Sequence, residues 1–122
     1  MRIYVAHSKQ MNYMEDLYKP LRNDKFFDDY ELILPHEASS TSKNGRAFYK
    51  TIDVFIADCS EVATGLGIEI GWVYDEGKPI NVIHKKGTKL NGSVLSVATN
   101  VYEYENNDRM VEIVKNIVLN QN

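Results

Sequence analysis

Short apolar segments that alternate with helical patterns constrain the fold of this chain more than any other feature of its sequence. The apolar segments are rich in β-branched and aromatic residues, which favour strands: Arg2–His7, Glu31–Leu34, Ile52–Asp58, Ile80–Ile83 and Val101–Tyr104. Helical patterns occupy residues 12–25, 45–51, 65–76, 93–98 and 106–119. Pro20 is expected to kink the first of these helices or to begin its second half. The alternation predicts an α/β fold with a parallel sheet, right-handed crossovers and helices on both faces.

The predicted fold is a single doubly wound domain over residues 1–122, flavodoxin- or Rossmann-like, with strand order 2-1-3-4-5. In such sheets ligands bind beyond the carboxyl ends of the strands, at the point where the strand order reverses. That point lies between strands 1 and 3, which lead into the polar loops His7-Ser8-Lys9 and Asp58-Cys59-Ser60. We therefore expect these two loops to form one crevice.

A glycine-rich helix start follows the third strand, with the sequence Ala63-Thr64-Gly65-Leu66-Gly67-Ile68-Glu69-Ile70-Gly71. Glycines allow the backbone to come close to a ligand. The first helical turn also offers unpaired N–H groups and a positive dipole end to an anion. Glu69 is then placed to attack or stabilise an electron-poor carbon. A structural reading stays open at this point, because an acidic residue near a helix N-terminus also complements the helix dipole.

The composition narrows the classes of function. The chain has 122 residues, of which 43% are hydrophobic and 25% charged, as is usual for one soluble globular domain. A net charge of −3 without a basic stripe disfavours nucleic acid polymers as partners. The single cysteine, Cys59, excludes an internal disulfide and indicates a cytoplasmic protein. No signal-peptide or membrane-spanning pattern is present. His7, His36 and His84 lack metal-ligand spacing, so we expect no metal and no other cofactor.

Several segments resemble the nucleoside 2-deoxyribosyltransferase-like family, which includes the 2′-deoxynucleoside 5′-phosphate N-hydrolases. They are Asp53–Asp58, Gly65–Gly71 and Gly77–Ile80, together with His7-Ser8 and Val94-Leu95-Ser96, which resemble the hydrolase branch. The resemblance covers nearly the whole chain in order and spacing. Its most specific part is the Gly-x-Gly-x-Glu-x-Gly helix start.

The resemblance implies roles for individual residues. Glu69 matches the nucleophile that attacks the anomeric carbon of the sugar and forms a glycosyl ester. Ser8 matches a serine of the phosphate-binding loop, and Gly65 and Gly67 match glycines whose amides line the pocket. Ser96 matches a serine that reaches the phosphate bound in the neighbouring subunit, which implies a homodimer or a higher homo-oligomer.

Two positions depart from the family pattern. Ala63 stands where the transferases carry an aspartate and the hydrolases a serine, and Thr64 beside it is a candidate source of a hydroxyl. Residues 43–46 lack the upstream aspartate of the family, and Asp58 and Glu37 are candidates to replace it. Without these acids, we expect hydrolysis of nucleoside monophosphates to be favoured over base exchange between free nucleosides.

Three hypotheses about function follow. The first is an enzyme, an N-glycosidase that cleaves the base–sugar bond of a nucleoside 5′-monophosphate or nucleoside, as a hydrolase or a deoxyribosyltransferase. The second is a TIR-like domain that cleaves NAD or acts in signalling, since Ile3–Ser8 resembles the first strand of that family. The third is a non-catalytic nucleotide-binding module, which Ala63 favours. Trp72 and Tyr74 are expected to pack in the core or in a subunit interface.

Overall fold

A five-stranded sheet forms the centre of the molecule, which was analysed as a computed structural model that describes residues 1–37 and 45–121. The strands are β1 (Arg2–His7), β2 (Glu31–Ile33), β3 (Val54–Asp58), β4 (Asn81–Lys85) and β5 (Asn100–Tyr104). They pair in the order β2-β1-β3-β4-β5, and every pairing is parallel. The predicted architecture and strand order are confirmed.

Alternate residues of each central strand face opposite layers of the core, as the two-residue period of a strand requires. In β1, Ile3 and Val5 belong to one apolar cluster, whereas Tyr4 and Ala6 belong to the other. Burial on both faces explains why these strands are apolar throughout rather than alternating in polarity. Tyr4 has no exposed surface, so its hydroxyl lies within a buried layer and requires a hydrogen-bond partner there.

Helices cover both faces of the sheet. The first face packs against α1 (Lys19–Arg22) and α4 (Asn107–Leu119). The opposite face packs against α2 (Thr64–Asp75), α3 (Gly92–Val97) and a 3₁₀ helix at Arg46–Thr51. Both α2 and the 3₁₀ helix therefore lie on the side of the sheet to which Tyr4 points.

The first helical region differs from the single helix predicted over residues 12–25. It consists of a π-helical turn at Met14–Tyr18, then α1, then a 3₁₀ helix at Lys25–Asp29. The cause is Pro20, which has no N–H to donate and whose ring would meet the carbonyl of Asp16 in a regular α-helix. The backbone widens instead, so that the N–H of Lys19 bonds to the carbonyl of Met14. Pro20 begins the second half of this region, as expected.

The remaining boundaries agree with the predictions to within one or two residues. The helix predicted from Gly65 to Glu76 is α2, and Gly77 ends it with a positive φ of 73°, a conformation that favours glycine. The Ser- and Thr-rich sequence after β2 predicts a polar loop at residues 36–44, of which residues 38–44 lie outside the described part of the chain. Within the described residues, none of the helices is long and apolar enough to cross a membrane.

Candidate active site

A cleft of about 490 Å3 opens at the carboxyl ends of β1 and β3, where the strand order reverses. One wall is the turn after β1, and the other is the N-terminal half of α2. The described lining residues are His7, Ser8, Lys9, Gln10, His36, Ala63, Gly65, Leu66, Ile68, Glu69 and Trp72. A cleft of this size is sufficient for a small-molecule ligand. It lies at the predicted reversal of strand order. Of the two loops predicted to form it, His7-Ser8-Lys9 lines the cleft, whereas Asp58-Cys59-Ser60 does not.

Glu69 projects from the second turn of α2 towards the carboxyl end of β1. Leu66, Ile70 and Val73 on the neighbouring stripe of α2 are buried against the sheet, which fixes the rotation of the helix. The Tyr4 hydroxyl donates a hydrogen bond of 3.0 Å to Oε2 of Glu69. The carboxyl group thus reaches both the cleft and the buried layer around β1.

Two tyrosines surround the Glu69 carboxyl group. The hydroxyl of Tyr49 lies 3.3 Å from that of Tyr4. Because Tyr4 gives its single proton to Glu69, Tyr49 donates its own proton to the Tyr4 oxygen or to Glu69 itself. Burial raises the pKa of the Glu69 carboxyl, while hydrogen bonds from Tyr4 and Tyr49 act in the opposite direction by favouring the charged form. We refer to Tyr4, Tyr49 and Glu69 as the Glu69 cluster.

Both tyrosines are held in their protonated form. The pKa of each phenol is raised far above its usual value, chiefly by burial and also by the nearby charge of Glu69. A phenol that keeps its proton acts only as a donor towards a carboxylate. The Glu69 cluster therefore supplies fixed donors to a carboxylate at the edge of a cleft, an arrangement that orients a nucleophile or an electrostatic stabiliser.

His7 forms a neutral, aromatic part of the cleft. Its Nδ1 lies 2.9 Å from the carbonyl oxygen of Ser8, so Nδ1 carries the proton. Its Nε2 then accepts a hydrogen bond of 2.6 Å from the Tyr18 hydroxyl, which in turn accepts one of 2.9 Å from the backbone N–H of His36. Burial lowers the pKa of His7 to about 4. His7 is thus uncharged at neutral pH, with both nitrogens engaged.

The turn after β1 brings Ser8 and Lys9 to the cleft. The Ser8 Oγ accepts a hydrogen bond of 3.0 Å from the backbone N–H of Gln10, which tightens the turn. The Ser8 hydroxyl can therefore donate its own proton to a ligand. Lys9 is exposed and is the one lysine or arginine among the described lining residues. This turn therefore combines a hydroxyl donor with a positive charge, both suited to an anion.

Three of the predicted site residues, Ser8, Gly65 and Glu69, meet in this cleft. Gly67 instead lines a smaller, mainly apolar pocket of about 50 Å3 on the far side of Ala63 and Leu66. Thr64 is the exposed first residue of α2 and does not belong to the lining of the cleft.

Asp58 does not reach the cleft, contrary to its predicted role in binding substrate. It is fully buried and accepts hydrogen bonds from the Tyr104 hydroxyl (2.5 Å) and the Ser60 backbone N–H (2.9 Å). Burial raises the pKa of its carboxyl group. Asp58 lies on the same face of β3 as Val54 and Ile56. This face packs against α1 and α4. The reason for the difference is therefore the two-residue period of β3, which points Asp58 away from α2.

Glu37 is also engaged elsewhere. Its two carboxylate oxygens accept hydrogen bonds from Nε and Nη2 of Arg22, at 2.7 and 2.8 Å. This ion pair lowers the pKa of Glu37. Cys59 is buried, and burial raises the pKa of its thiol to about 12, so its surroundings do not activate it as a nucleophile.

Ser96 lies apart from the cleft of its own chain. It is exposed on α3, and its hydroxyl donates a hydrogen bond of 2.7 Å to the carbonyl of Ser93. Its predicted contact with a ligand requires a second subunit and stays a prediction. No group of three or more histidine, cysteine or acidic side chains is placed to hold a metal ion within residues 1–37 and 45–121.

Sequence reasoning missed Tyr4, Tyr49 and Gln10 and underestimated Trp72. Trp72 packs on Tyr49 with ring centroids 5.6 Å apart and also lines the cleft. The same side chain therefore packs against the core and is accessible to a ligand. One signal pointed to Tyr4, since it is a tyrosine within an otherwise apolar buried strand, and a buried hydroxyl requires a partner. Nothing comparable pointed to Tyr49.

Comparisons with known proteins agree with the fold. A CMP N-glycosidase from Clostridium botulinum, BcmB, is similar in structure with a TM-score of 0.61 and 22% identity, over 93% of this chain and 98% of that protein. A conserved protein from Enterococcus faecalis V583 matches with a TM-score of 0.69 and 16% identity, over 95% and 98% of the two chains. No protein-family model and no curated protein matches the sequence. The fold expected from the family resemblance is thereby confirmed over nearly the whole chain.

Proposed function

We propose that this protein is an N-glycosidase that hydrolyses the base–sugar bond of a nucleoside 5′-monophosphate, with Glu69 as the nucleophile. The observation that carries the proposal is a carboxylate at the edge of a cleft, held by buried tyrosine donors. The fold supports it, because the similar structure from Clostridium botulinum is a CMP N-glycosidase that matches this chain almost from end to end.

The reaction proceeds in two displacements. An oxygen of Glu69 attacks the anomeric carbon, the C–N bond breaks, and its electron pair leaves with the base, which takes up a proton from water. The transition state resembles an oxocarbenium ion, whose positive charge the carboxylate stabilises before it forms the ester. Water then attacks the same carbon, loses a proton, and releases the sugar phosphate and the Glu69 carboxylate.

The start of α2 supports a phosphate site. Ala63 at the N-cap has no side-chain oxygen, so no side-chain hydrogen bond caps the helix. The first N–H groups of α2, including that of Gly65 in the cleft, are therefore available to an anion together with the helix dipole. The Ser8 hydroxyl and the charge of Lys9 come from the opposite wall. Because this cradle needs an anionic group, we expect monophosphates to be preferred over free nucleosides.

We propose further that the active form is a homodimer or a larger homo-oligomer. Two large apolar residues of α2, Ile68 and Tyr74, are 48% and 55% exposed, and Leu95 on α3 is 53% exposed. Exposed apolar residues of this size on neighbouring elements are typical of obligate subunit interfaces. Ile68→Lys should dissociate the assembly, as measured by sedimentation at micromolar concentration. A wild-type protein that sediments as a monomer would contradict the proposal and remove Ser96 from the site.

One specific observation favours a second candidate, a nucleotide-binding module without activity. Glu69 is the one acidic side chain among the described lining residues, and Ala63 contributes neither an acid nor a hydroxyl. A glycosidase usually has a second acidic group to assist the departure of the leaving group. In this alternative the cleft would bind nucleotides and leave the glycosidic bond intact.

Incubation with nucleosides, nucleoside monophosphates and NAD, followed by chromatography of the free base, tests the proposal. Wild-type protein should release base from a monophosphate, and Glu69→Gln should release none while still binding the substrate. Glu103→Gln, exposed on β5, is the matched control. Equal release by Glu69→Gln would refute the role of Glu69. Tight binding of a monophosphate without release by the wild type would favour the binding module, and release of nicotinamide alone would favour the TIR-like alternative.

A further inference from the structure

Tyr49 reaches the Glu69 cluster from an element that has little regular structure of its own. The 3₁₀ helix Arg46–Thr51 is short, and such helices have poorer hydrogen-bond geometry than α-helices. Yet the Tyr49 side chain is almost fully buried, with its hydroxyl 3.3 Å from that of Tyr4. Besides the packing of its ring on Tyr4 and Trp72, we therefore expect an interaction outside the helix to hold the backbone of Tyr49.

Lys78 provides that interaction. Its Nζ donates hydrogen bonds to the carbonyl oxygens of Tyr49 (3.0 Å), Lys50 (2.8 Å) and Ile52 (2.6 Å). An ammonium group has three protons, so each of them has a backbone partner. Carbonyls at the end of a helix are poorly satisfied within it, and a positive charge is favoured there. Besides the bond from Lys78, the carbonyl of Tyr49 accepts a long bond of 3.5 Å from the N–H of Ile52. Lys78 therefore acts as a cap on the 3₁₀ helix.

The sequence around Lys78 sets its direction. Gly77 ends α2 with a positive φ of 73°, which turns the chain back towards the sheet. Pro79 follows and restricts the backbone on the other side of Lys78. The side chain of Lys78 thus leaves the end of α2, the helix that carries Glu69, and reaches the helix that carries Tyr49. Lys78 therefore joins the two elements that hold the carboxylate and its donor, beside the Arg46–Asp75 ion pair and the Tyr49–Trp72 ring contact, which also link them.

We propose that Lys78 is a positioning residue for the reaction, because by capping the 3₁₀ helix it holds the Tyr49 hydroxyl against Tyr4 and Glu69 and so keeps the carboxylate charged and oriented. This inference rests on the proposed function, because only that function gives the charge of Glu69 a role in catalysis. The geometric part, in which Lys78 controls the state of Glu69 through Tyr49, is independent of any substrate.

Several other titratable groups lie around Glu69, and the experiment must distinguish their effects on its titration from that of Lys78. Tyr4 faces it from β1 and Tyr49 from the 3₁₀ helix. Burial chiefly raises the pKa of the Tyr18 phenol in the π-helical turn, and the charge of Glu69 acts in the same direction. Lys9, His7 and His36 line the same cleft. The three hydrogen bonds of the Lys78 ammonium go to the carbonyls of Tyr49, Lys50 and Ile52, so we expect its removal to act on Glu69 through the end of the 3₁₀ helix.

The test is a direct titration of Glu69 by NMR in protein labelled with 13C at the glutamate carboxyl groups. Glu69→Gln assigns the signal. Tyr49→Phe should raise the titration midpoint of Glu69 by about one pH unit, the order expected for one lost hydrogen bond to a carboxylate. Lys78→Met should raise it in the same direction, and the double variant should not exceed the larger single effect by more than about 0.3 pH unit. Lys78→Arg should restore most of the wild-type midpoint.

Matched controls are Tyr102→Phe on β5 and Lys25→Met in the 3₁₀ helix at Lys25–Asp29, both of which should leave the midpoint unchanged. A lower melting temperature for Lys78→Met with an unchanged Glu69 midpoint would overturn the proposal, since Lys78 would then have a structural role only. Should Lys78→Met not fold, Lys78→Gln is measured by the same criteria.

The titration needs no substrate, so it stands whether or not base release is found. Where base release is found, the acid limb of the pH profile of kcat/KM should move with the NMR midpoint in each variant. A shift in the NMR midpoint without any base release by the wild type would support the positioning role and refute the proposed reaction. Base release with an acid limb unmoved in Lys78→Met would refute the positioning role alone.

Discussion

Two carboxyl groups at the carboxyl ends of the strands have similar partners and different surroundings. Glu69 accepts a hydrogen bond from Tyr4, and Asp58 accepts one from Tyr104. Burial raises the pKa of both groups. Glu69, however, lines a cleft on the α2 side of the sheet, whereas Asp58 is fully enclosed on the side of α1 and α4.

The difference shows that a perturbed carboxyl group with a tyrosine partner does not by itself identify an active site. Asp58, Ser60 and Tyr104 form a closed set, which we call the Asp58 cluster, in which the Ser60 Oγ also accepts a hydrogen bond of 2.9 Å from the Lys85 backbone N–H. This set joins the ends of β3, β4 and β5. We infer that the Asp58 cluster stabilises the sheet, whereas the Glu69 cluster is available to a ligand.

The largest expected effect separates the two carboxyl groups by activity. Glu69→Gln should reduce base release by at least about 10³-fold, because an amide is a far poorer nucleophile. Asp58→Asn should change it by less than about threefold at a temperature where the protein is folded, because Asp58 does not touch the cleft. Base release and circular dichroism are measured on both variants. A folded Asp58→Asn protein without activity would place Asp58 in the mechanism.

The second prediction separates the two tyrosines by stability. Tyr104→Phe leaves a buried carboxyl group without one of its donors, which should lower the free energy of unfolding by about 1–3 kcal/mol. Tyr4→Phe should lower it by less than about 1 kcal/mol, because the Glu69 carboxyl group can bond to water in the cleft. Urea denaturation measures both changes, with Tyr102→Phe as the control. Equal losses for Tyr4 and Tyr104 would show that the Glu69 carboxyl group is as closed to water as that of Asp58.

The cleft and the catalytic candidate could be predicted from the sequence because they depend on local patterns. The glycine-rich start of α2 places Glu69, and the alternation of strands and helices determines where the loops after β1 and β3 meet. The role of Asp58 was predicted wrongly, because the sequence shows that it follows β3 but not which face of the sheet carries the cleft. Tyr49 is 45 residues from Tyr4, and their contact depends on how the 3₁₀ helix packs. Long-range packing of this kind has no local signal.

The third prediction concerns the pH dependence of stability. The folded-state pKa of Glu69 lies above its usual value of 4.5, so this group stabilises the fold fully below about pH 4.5 and loses that contribution as the pH rises through the raised pKa. In the Glu69→Gln variant the side-chain amide does not titrate. The free energy of unfolding of this variant should therefore exceed that of the wild type at pH 7, and the two values should converge as the pH falls towards the usual pKa of a glutamate. Urea titrations across this range measure the gap, with Glu103→Gln as the control, and a gap that widens towards acid pH would contradict the assigned direction.

The smallest expected effect compares a glycine of the cleft with a glycine of a closed turn. Gly65 has an ordinary helical backbone, and a Cβ added to it would meet nothing within 4 Å, so the fold itself does not require glycine there. Gly65→Ala should raise the free energy of unfolding by about 0.5 kcal/mol and still weaken phosphate binding, because the methyl group enters the cradle. Gly77→Ala should instead lower stability by about 1 kcal/mol, since its φ of 73° strains any other residue. Thermal unfolding and the KM for a monophosphate measure both effects. An unchanged KM for Gly65→Ala would show that the start of α2 is not the phosphate site and would move the search for that site to the turn after β1.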